Sequence, residues 1–248
     1  MNALLKPAKD WLDAGLAFLY PNVCQICRHE RALPTDGYVC ATCWKKVRFL
    51  KPPFCRRCGL PFDGDIATAF ECSNCKELEL KFRYARSAVL AGELMLEVIH
   101  RYKYQRALWF EPFLADLLSR QAVPDLQPAQ WDLIVPVPLH PAKRRERGFN
   151  QAERLSLHLG KATGIRVDSR LMRRISPTET QTRLNRRQRA ENVRGAFALR
   201  KGCELGSRKR IVLVDDVLTT GATTSACAGT LRAAGALDVC VWTVARGT

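Results

Sequence analysis

Long apolar runs are missing from this 248-residue chain. Its most apolar N-terminal stretch, Gly15 to Tyr20, is far short of the ~20 residues a membrane-spanning helix needs, so no membrane insertion is expected. Asp10 and Asp13 lie beside that stretch, where a secretory signal keeps its apolar region clean, and no small-residue cleavage pattern follows it. The expected location is therefore the cytoplasm. Residues 3–19 read instead as an amphipathic helix, with Leu4, Leu5, Ala8, Trp11, Leu12, Leu16 and Leu19 near one face. No GxxxxGK[ST] string occurs, which excludes a Walker-type phosphate loop. The four histidines, His29, His100, His140 and His158, show no HxxxH spacing or cysteine pairing that would mark a metal ligand or an obvious base. With 47% hydrophobic residues, disorder as the main state is also excluded.

Acidic residues are scarce: 24 Asp plus Glu face 40 Lys plus Arg, a formal charge of +16. Such a balance favours polyanionic partners, meaning nucleic acid, phosphorylated small molecules or an anionic surface. The excess is concentrated. Residues 141–200 hold 16 Lys/Arg against 5 Asp/Glu, and nearly all of the cations are arginine. The planar guanidinium fork grips a phosphate with two parallel hydrogen bonds.

What the chain has in abundance is cysteine, 11 in all. Eight of them form four CxxC pairs: Cys24/Cys27, Cys40/Cys43, Cys55/Cys58 and Cys72/Cys75. Tetrahedral zinc takes four thiolates, and a CxxC turn delivers two from one tight knuckle. The intervals of 12 residues between Cys27 and Cys40, and of 13 between Cys58 and Cys72, suit two zinc ribbons, so two Zn²⁺ ions are expected. Sequential ribbons and an interleaved set (first pair with third, second with fourth) both fit these intervals. A secreted disulfide framework, a thioredoxin-like redox pair and an iron–sulfur cluster each fit less well. Cys203, Cys227 and Cys240 stand alone and read as ordinary small side chains.

Organisation follows from these patterns: a lead helix over 1–19, a zinc module over 20–80, and a larger unit over 82–248. The module is rich in Pro, Gly and Arg, and metal binding is expected to supply much of its folding energy. Beyond it, strands are expected at Tyr84–Leu90, Asp132–Val137, Arg166–Ile175, Gly195–Leu199, Arg210–Val217 and Asp238–Ala245. Helices are expected at Glu93–Gln105, Phe110–Gln121, about Asn150–Thr163 and about Thr223–Ala234. Alternation of this kind predicts an α/β fold with a mainly parallel sheet.

The chemistry concentrates at Ile211–Ser225, IVLVDDVLTTGATTS. An apolar strand ends in Asp215 and Asp216, and a loop of Thr219, Thr220, Gly221, Ala222 and Thr223 leads into a helix. Open α/β sheets bind ligands at the carboxyl ends of their strands. A Gly–Thr loop entering a helix offers N–H groups, hydroxyls and the helix dipole to a phosphate. Two adjacent carboxylates suit a vicinal diol such as that of a ribose.

This string closely resembles the phosphoribosyl-pyrophosphate (PRPP) signature of type I phosphoribosyltransferases. Arg147-Gly148-Phe149-Asn150-Gln151 resembles the hallmark of the competence-protein ComF/GntX family, which joins an N-terminal double zinc ribbon to a phosphoribosyltransferase-like domain. Further matching elements are Lys103-Tyr104, Gln181, Arg186, Arg189, Asn192, Val193, Gly195-Ala196-Phe197 and the terminal Ala245-Arg246, so the resemblance covers nearly the whole chain. It implies that Asp215 and Asp216 bind ribose hydroxyls with Mg²⁺ nearby, and that Thr219 to Thr223 hold the 5-phosphate. The loop Val135 to His140, followed by Lys143, Arg144 and Arg147, would meet the pyrophosphate. Thr178 to Arg194 corresponds to the loop that closes over the site in true transferases, where Arg186 and Arg189 could neutralise departing pyrophosphate.

Fold and activity are separate questions. The family is associated with DNA taken into the cell, for natural transformation or as a nutrient. One reading is a PRPP-binding transferase-like protein in DNA uptake whose acceptor the residues do not name. The other is a non-enzymatic single-stranded-DNA-binding factor that keeps the fold as a nucleotide-binding scaffold. Trp44, Phe49, Phe54 and Phe62, interleaved with Lys45, Lys46, Arg48, Arg56 and Arg57, could either stack bases or cover the metals. A competence-machinery protein partner and a homodimer are further expectations.

Overall fold

The structure, a computed structural model, describes residues 22–62, 64, 71–73, 75, 79–176, 193 and 195–247. The expected lead helix therefore lies outside the described residues, as do Arg186, Arg189, Gln181, Asn192 and most of the Thr178–Arg194 segment. In chain order the helices are α1 (Ala41–Lys45), α2 (Glu93–Tyr104), α3 (Glu111–Ala122), α4 (Pro141–Arg147), α5 (Gln151–Thr163) and α6 (Ala222–Ala233). The strands are β1 (Tyr84–Leu90), β2 (Leu133–Pro136), β3 (Met172–Arg174), β4 (Phe197–Leu199), β5 (Arg210–Leu218) and β6 (Asp238–Arg246).

The Ile211-Val212-Leu213-Val214 run of β5 is β-branched or apolar at every position, the pattern of a strand covered on both faces. All four residues are fully buried. β5 pairs in parallel with β6 and β2, and β1 pairs in parallel with β6, giving the order β1-β6-β5-β2. Alternate residues of these strands face two different cores. Val212, Val214, Cys240 and Trp242 pack against the apolar faces of α2, α3 and α5. Ile211, Leu213, Val239 and Val241 pack with Cys227, Ala228 and Leu231 of α6.

The zinc-ribbon segment divides in the same way. Cys24, Cys40 and Cys43 belong to the core of α2 and α3, whereas Cys55, Cys58 and Cys72 belong to the core of α6. Its aromatic residues cover these cores. Trp44 lies stacked on Phe49 at 6.3 Å and edge-on to Phe113 at 5.0 Å, and Phe62 packs against the α6 core. Phe54 lies beneath the Arg86 guanidinium at 4.7 Å. The contacts of Trp44, Phe49 and Phe62 are those of residues that cover a core.

Two elements differ from expectation. The strand expected over Arg166–Ile175 is broken: Val167 bridges Ile134, and regular pairing resumes only at β3, which joins β4 in a separate antiparallel ribbon. Asp168 causes the break, because its Oδ1 accepts the N–H groups of Arg170 and Leu171 at 2.8 and 2.9 Å and turns the chain. Residues 141–147, to which the sequence pattern assigns no element, form α4. Pro141 opens it, His140 Nδ1 caps the Ala142 N–H at 3.3 Å, and Gly148 ends it at φ +84°. Between those stops lie mainly good helix formers.

Candidate functional site

In register, Pro136 of β2 lies opposite Val214 of β5, and the Val137 N–H donates to the Val214 carbonyl at 2.9 Å. The loops that follow these two strands therefore open on one side of the sheet. After β5 the chain turns through Thr219-Thr220-Gly221 into α6. Gly221 sits at φ +79°, where a side chain is strained, and brings the start of the helix into the turn. Thr220 Oγ1 accepts the Ala222 N–H at 3.3 Å, and Thr224 Oγ1 donates to the Gly221 carbonyl at 3.1 Å. The positive end of the α6 dipole and its first-turn donors thus face the loop.

A cavity of about 630 Å³ lies there, walled by Thr219 to Thr224, by Lys103 and Tyr104 of α2, and by Val137 to Leu139. Asp215, Asp216, Lys143, Arg147, Gln151 and Arg174 complete it. Asp216 is 3% exposed and forms an ion pair with Lys103 Nζ. Its Oδ1 accepts from Gln151 Nε2 at 3.4 Å, and Gln151 Oε1 in turn accepts from Arg147 Nη1. Asp215 is less enclosed, and its Oδ1 accepts the Asp216 N–H at 2.9 Å. Burial first, and then the neighbouring Asp216 charge, push the Asp215 carboxyl well above the ordinary range. Burial is the largest influence on Asp216 too, but the Lys103 ammonium, the hydrogen bond with Asp215 and the Arg147 charge together outweigh it and hold that carboxylate below its ordinary value. One carboxylate is thus kept charged and its neighbour is poised to share a proton.

Of the site residues picked from sequence, Asp215, Asp216, Thr219, Thr220, Gly221, Ala222, Thr223 and Arg147 meet in this cavity. His140 and Arg144 do not. They line an adjoining cavity of about 760 Å³ with Arg173 and Arg200, sharing Pro138, Leu139 and Arg174 as a common wall. Arg144 is turned toward Glu153 at 2.9 Å. Lys103, Gln151 and Arg174 gain site positions that sequence reasoning had not assigned them. Lys103 and Gln151 were visible only as parts of matched strings, and no local signal marks Arg174.

The eight paired cysteines gather into two sets, Cys24/Cys27/Cys40/Cys43 and Cys55/Cys58/Cys72/Cys75, each with its sulfurs within 4.8 Å of one another. The partition is sequential, and the interleaved arrangement is discarded. Tetrahedral zinc with bonds of about 2.3 Å needs sulfurs roughly 3.8 Å apart. Cys24–Cys43 and Cys55–Cys75 lie at 3.8 Å, Cys27–Cys40 at 3.7 Å and Cys58–Cys72 at 3.6 Å. Backbone N–H groups of Cys40 and Cys72 donate to the sulfurs of Cys24 and Cys55 at 3.4 and 3.3 Å. The amides of Glu30 and His29 pull the Cys27 thiol down to about 6, while burial pushes Cys40 up to about 11. A dication resolves that conflict by ionising all four thiols. Both sets fit zinc.

Residues 15–76 match the double zinc ribbon domain. Competence protein F of Haemophilus influenzae is 31% identical over 229 residues, covering 90% of this chain and 96% of that protein. The DNA utilization protein YhgH of Escherichia coli (strain K12) is 31% identical over 234 residues, covering 91% of this chain and 97% of its own. Competence protein ComFC of Bacillus subtilis is 27% identical over 198 residues, 77% of this chain and 76% of that one. Among solved structures, a purine phosphoribosyltransferase from Pyrococcus horikoshii superposes over 56% of this chain and 83% of that chain, at 18% identity and a TM-score of 0.33. Among the described residues, no helix is long and apolar enough to cross a membrane.

Proposed function

We propose, for a chain that belongs to the ComF/GntX family of competence protein F and DNA utilization protein YhgH, that the cavity at the end of β5 binds PRPP or a nucleotide-like phosphate during the cytoplasmic handling of DNA. The observation that carries this reading is one cavity holding a Gly–Thr loop at a helix start, an adjacent carboxylate pair and the cations Lys143, Arg147 and Arg174. Thr219 to Thr223 would take the 5-phosphate on hydroxyls and backbone donors. Asp215 would accept from a ribose hydroxyl, while Asp216, fixed by Lys103 and Gln151, shares the second hydroxyl and orients the first carboxylate. Lys143, Arg147 and Arg174 would face the pyrophosphate, with His140 and Arg144 beyond the shared wall. Carboxylate and phosphate oxygens are the ligands Mg²⁺ prefers, and the ion would neutralise the pyrophosphate as ligand enters. Arg186 and Arg189, which lie outside the described residues, would neutralise charge on departing pyrophosphate.

Titration calorimetry with PRPP, with and without Mg²⁺, tests the reading. Saturable binding at one site per chain, strengthened by Mg²⁺, supports it, and absence of heat from folded, zinc-loaded protein contradicts it.

A second reading has its own observation. Arg144, Arg173 and Arg200 ring the adjoining cavity, and a phosphodiester strand could pass from there to the PRPP cavity across Pro138 and Leu139. A single-stranded-DNA-binding role predicts affinity that falls steeply with salt. A flat salt response would argue against it.

A further inference from the structure

Arg246, the last residue of β6, is a buried cation at 3% exposure. Among the described residues no carboxylate pairs with it. Besides the neighbouring Gly247 carbonyl, its partners come from two places far apart in sequence. On one side, Nε donates to the Cys58 carbonyl at 3.1 Å and Nη2 to the Cys58 sulfur at 3.4 Å. On the other, Nη1 donates to the carbonyls of Leu218 at 3.1 Å and Thr219 at 2.8 Å, where β5 passes into the phosphate loop. A buried guanidinium needs a counter-charge. Four thiolates around one Zn²⁺ carry a net charge of about −2, and Cys58 is one of the four.

The Cys55–Cys58 knuckle is itself anchored to the sheet. The Ala85 N–H donates to the Arg57 carbonyl at 2.7 Å, and Arg86 Nη1 to the Arg56 carbonyl at 3.0 Å. Gly59, at φ +66°, lies so close to the sheet that a Cβ there would come within 2.9 Å of the Ala85 carbonyl. On the loop side, the Gly247 N–H donates to the Leu218 carbonyl at 2.8 Å. The knuckle, the end of β6 and the start of the loop are thus one hydrogen-bonded unit with Arg246 at its centre. The first cysteine set packs in the other core, with α2 and α3.

We propose that Arg246 is a positioning residue that couples the second zinc site to the phosphate loop, so that metal held by Cys55, Cys58, Cys72 and Cys75 keeps the loop in its ligand-binding geometry. Metal at the first site has no such effect. The inference rests on the reading of residues 219–223 as the phosphate site. Hydrogen bonds to a ligating sulfur are the kind of outer contact whose loss costs about 10–100-fold in metal affinity. Coupling of this kind is reciprocal, so phosphate ligand must also raise the equilibrium affinity of the second site for zinc.

The test uses the full chain as wild type, Cys27→Ser, Cys75→Ser, Arg246→Gln and Arg246→Lys. Amide hydrogen exchange is read at residues 218–224, and zinc release is read with a chelating dye. Faster loop exchange in Cys75→Ser and Arg246→Gln, with wild-type exchange in Cys27→Ser, is the expected pattern. Arg246→Gln should weaken zinc binding at one site about 10–100-fold. Arg246→Lys, which keeps the charge but not the fork, should fall between it and wild type. Unchanged loop exchange in Cys75→Ser, or equal loosening in Cys27→Ser, overturns the coupling. Should a variant fail to fold, graded zinc withdrawal from wild type decides: the loop must loosen in step with one of the two metal equivalents, and a loop that stays protected to the end overturns the proposal. PRPP that fails to bind wild type while this exchange pattern holds counts against the ligand reading alone.

Discussion

Lys103, in the last turn of α2, sets its ammonium against the Asp216 carboxylate at the end of β5. That contact ties the helix over the cavity to the strand beneath it and decides which member of the carboxylate pair stays charged. With Lys103→Met, the strongest opposition to burial is removed from Asp216, and its carboxyl shifts upward. Stability at neutral pH should fall by about 3 kcal/mol, the cost of orphaning one member of a buried pair. The loss should shrink toward acid pH as Asp216 takes a proton. Urea unfolding at pH 5 and pH 8 checks this, and equal losses at both would contradict it.

Glu111 sets a second, acid-side dependence. Its carboxylate is 8% exposed and accepts from Tyr102 Oη at 3.0 Å, from His158 Nε2 at 2.8 Å and from Arg154. Burial pushes its pKa up, but these three donors bring it from the ordinary 4.5 to about 2. A depressed carboxylate stabilises the fold above its unfolded value and loses that contribution as pH falls toward its folded value. Up to about 3 kcal/mol should therefore disappear between roughly pH 4.5 and 2. Glu111→Gln should flatten the profile in that window, and an unchanged slope would show that the network is not its source.

Elemental analysis should find two zinc equivalents per chain, one for each cysteine set. Cys27→Ser and Cys75→Ser should each retain about one, because the sets share no ligand. A single variant that loses both metals would contradict independent sites.

Gly221→Ala should weaken phosphate binding more than it disturbs the fold. An added Cβ has ordinary room, 3.5 Å from Leu80 and Phe82, but φ +79° strains any side chain by about 1–2 kcal/mol. Strain relieved by reshaping the loop should appear as roughly a tenfold weaker phosphate affinity. Calorimetry with PRPP reads it directly, and unchanged affinity would mean that the loop tolerates a side chain there.

Local patterns carried much of this architecture. The IVLV run of β5 announced a doubly covered strand, and four CxxC pairs announced the metal sites, because each pattern is complete within a few residues. Where a side chain overrides the pattern, the reading failed. Asp168 folds back on the backbone and breaks the strand expected over residues 166–175, and the arginine run of α4 has no apolar periodicity, so only its caps at His140 and Gly148 mark it as a helix. The partners of Asp216 and Cys58 were hidden for another reason. Lys103 and Arg246 reach them across more than a hundred residues of sequence, and only the stacking of helix, sheet and ribbon brings them together.

The most direct test of the central claim is titration of PRPP with Mg²⁺ into zinc-loaded wild type and into the Asp215→Asn/Asp216→Asn double variant, with circular dichroism confirming that both are folded. Binding by wild type and its loss in the double variant are expected. Equal binding by both would contradict the assignment of the carboxylate pair and the cavity it lines.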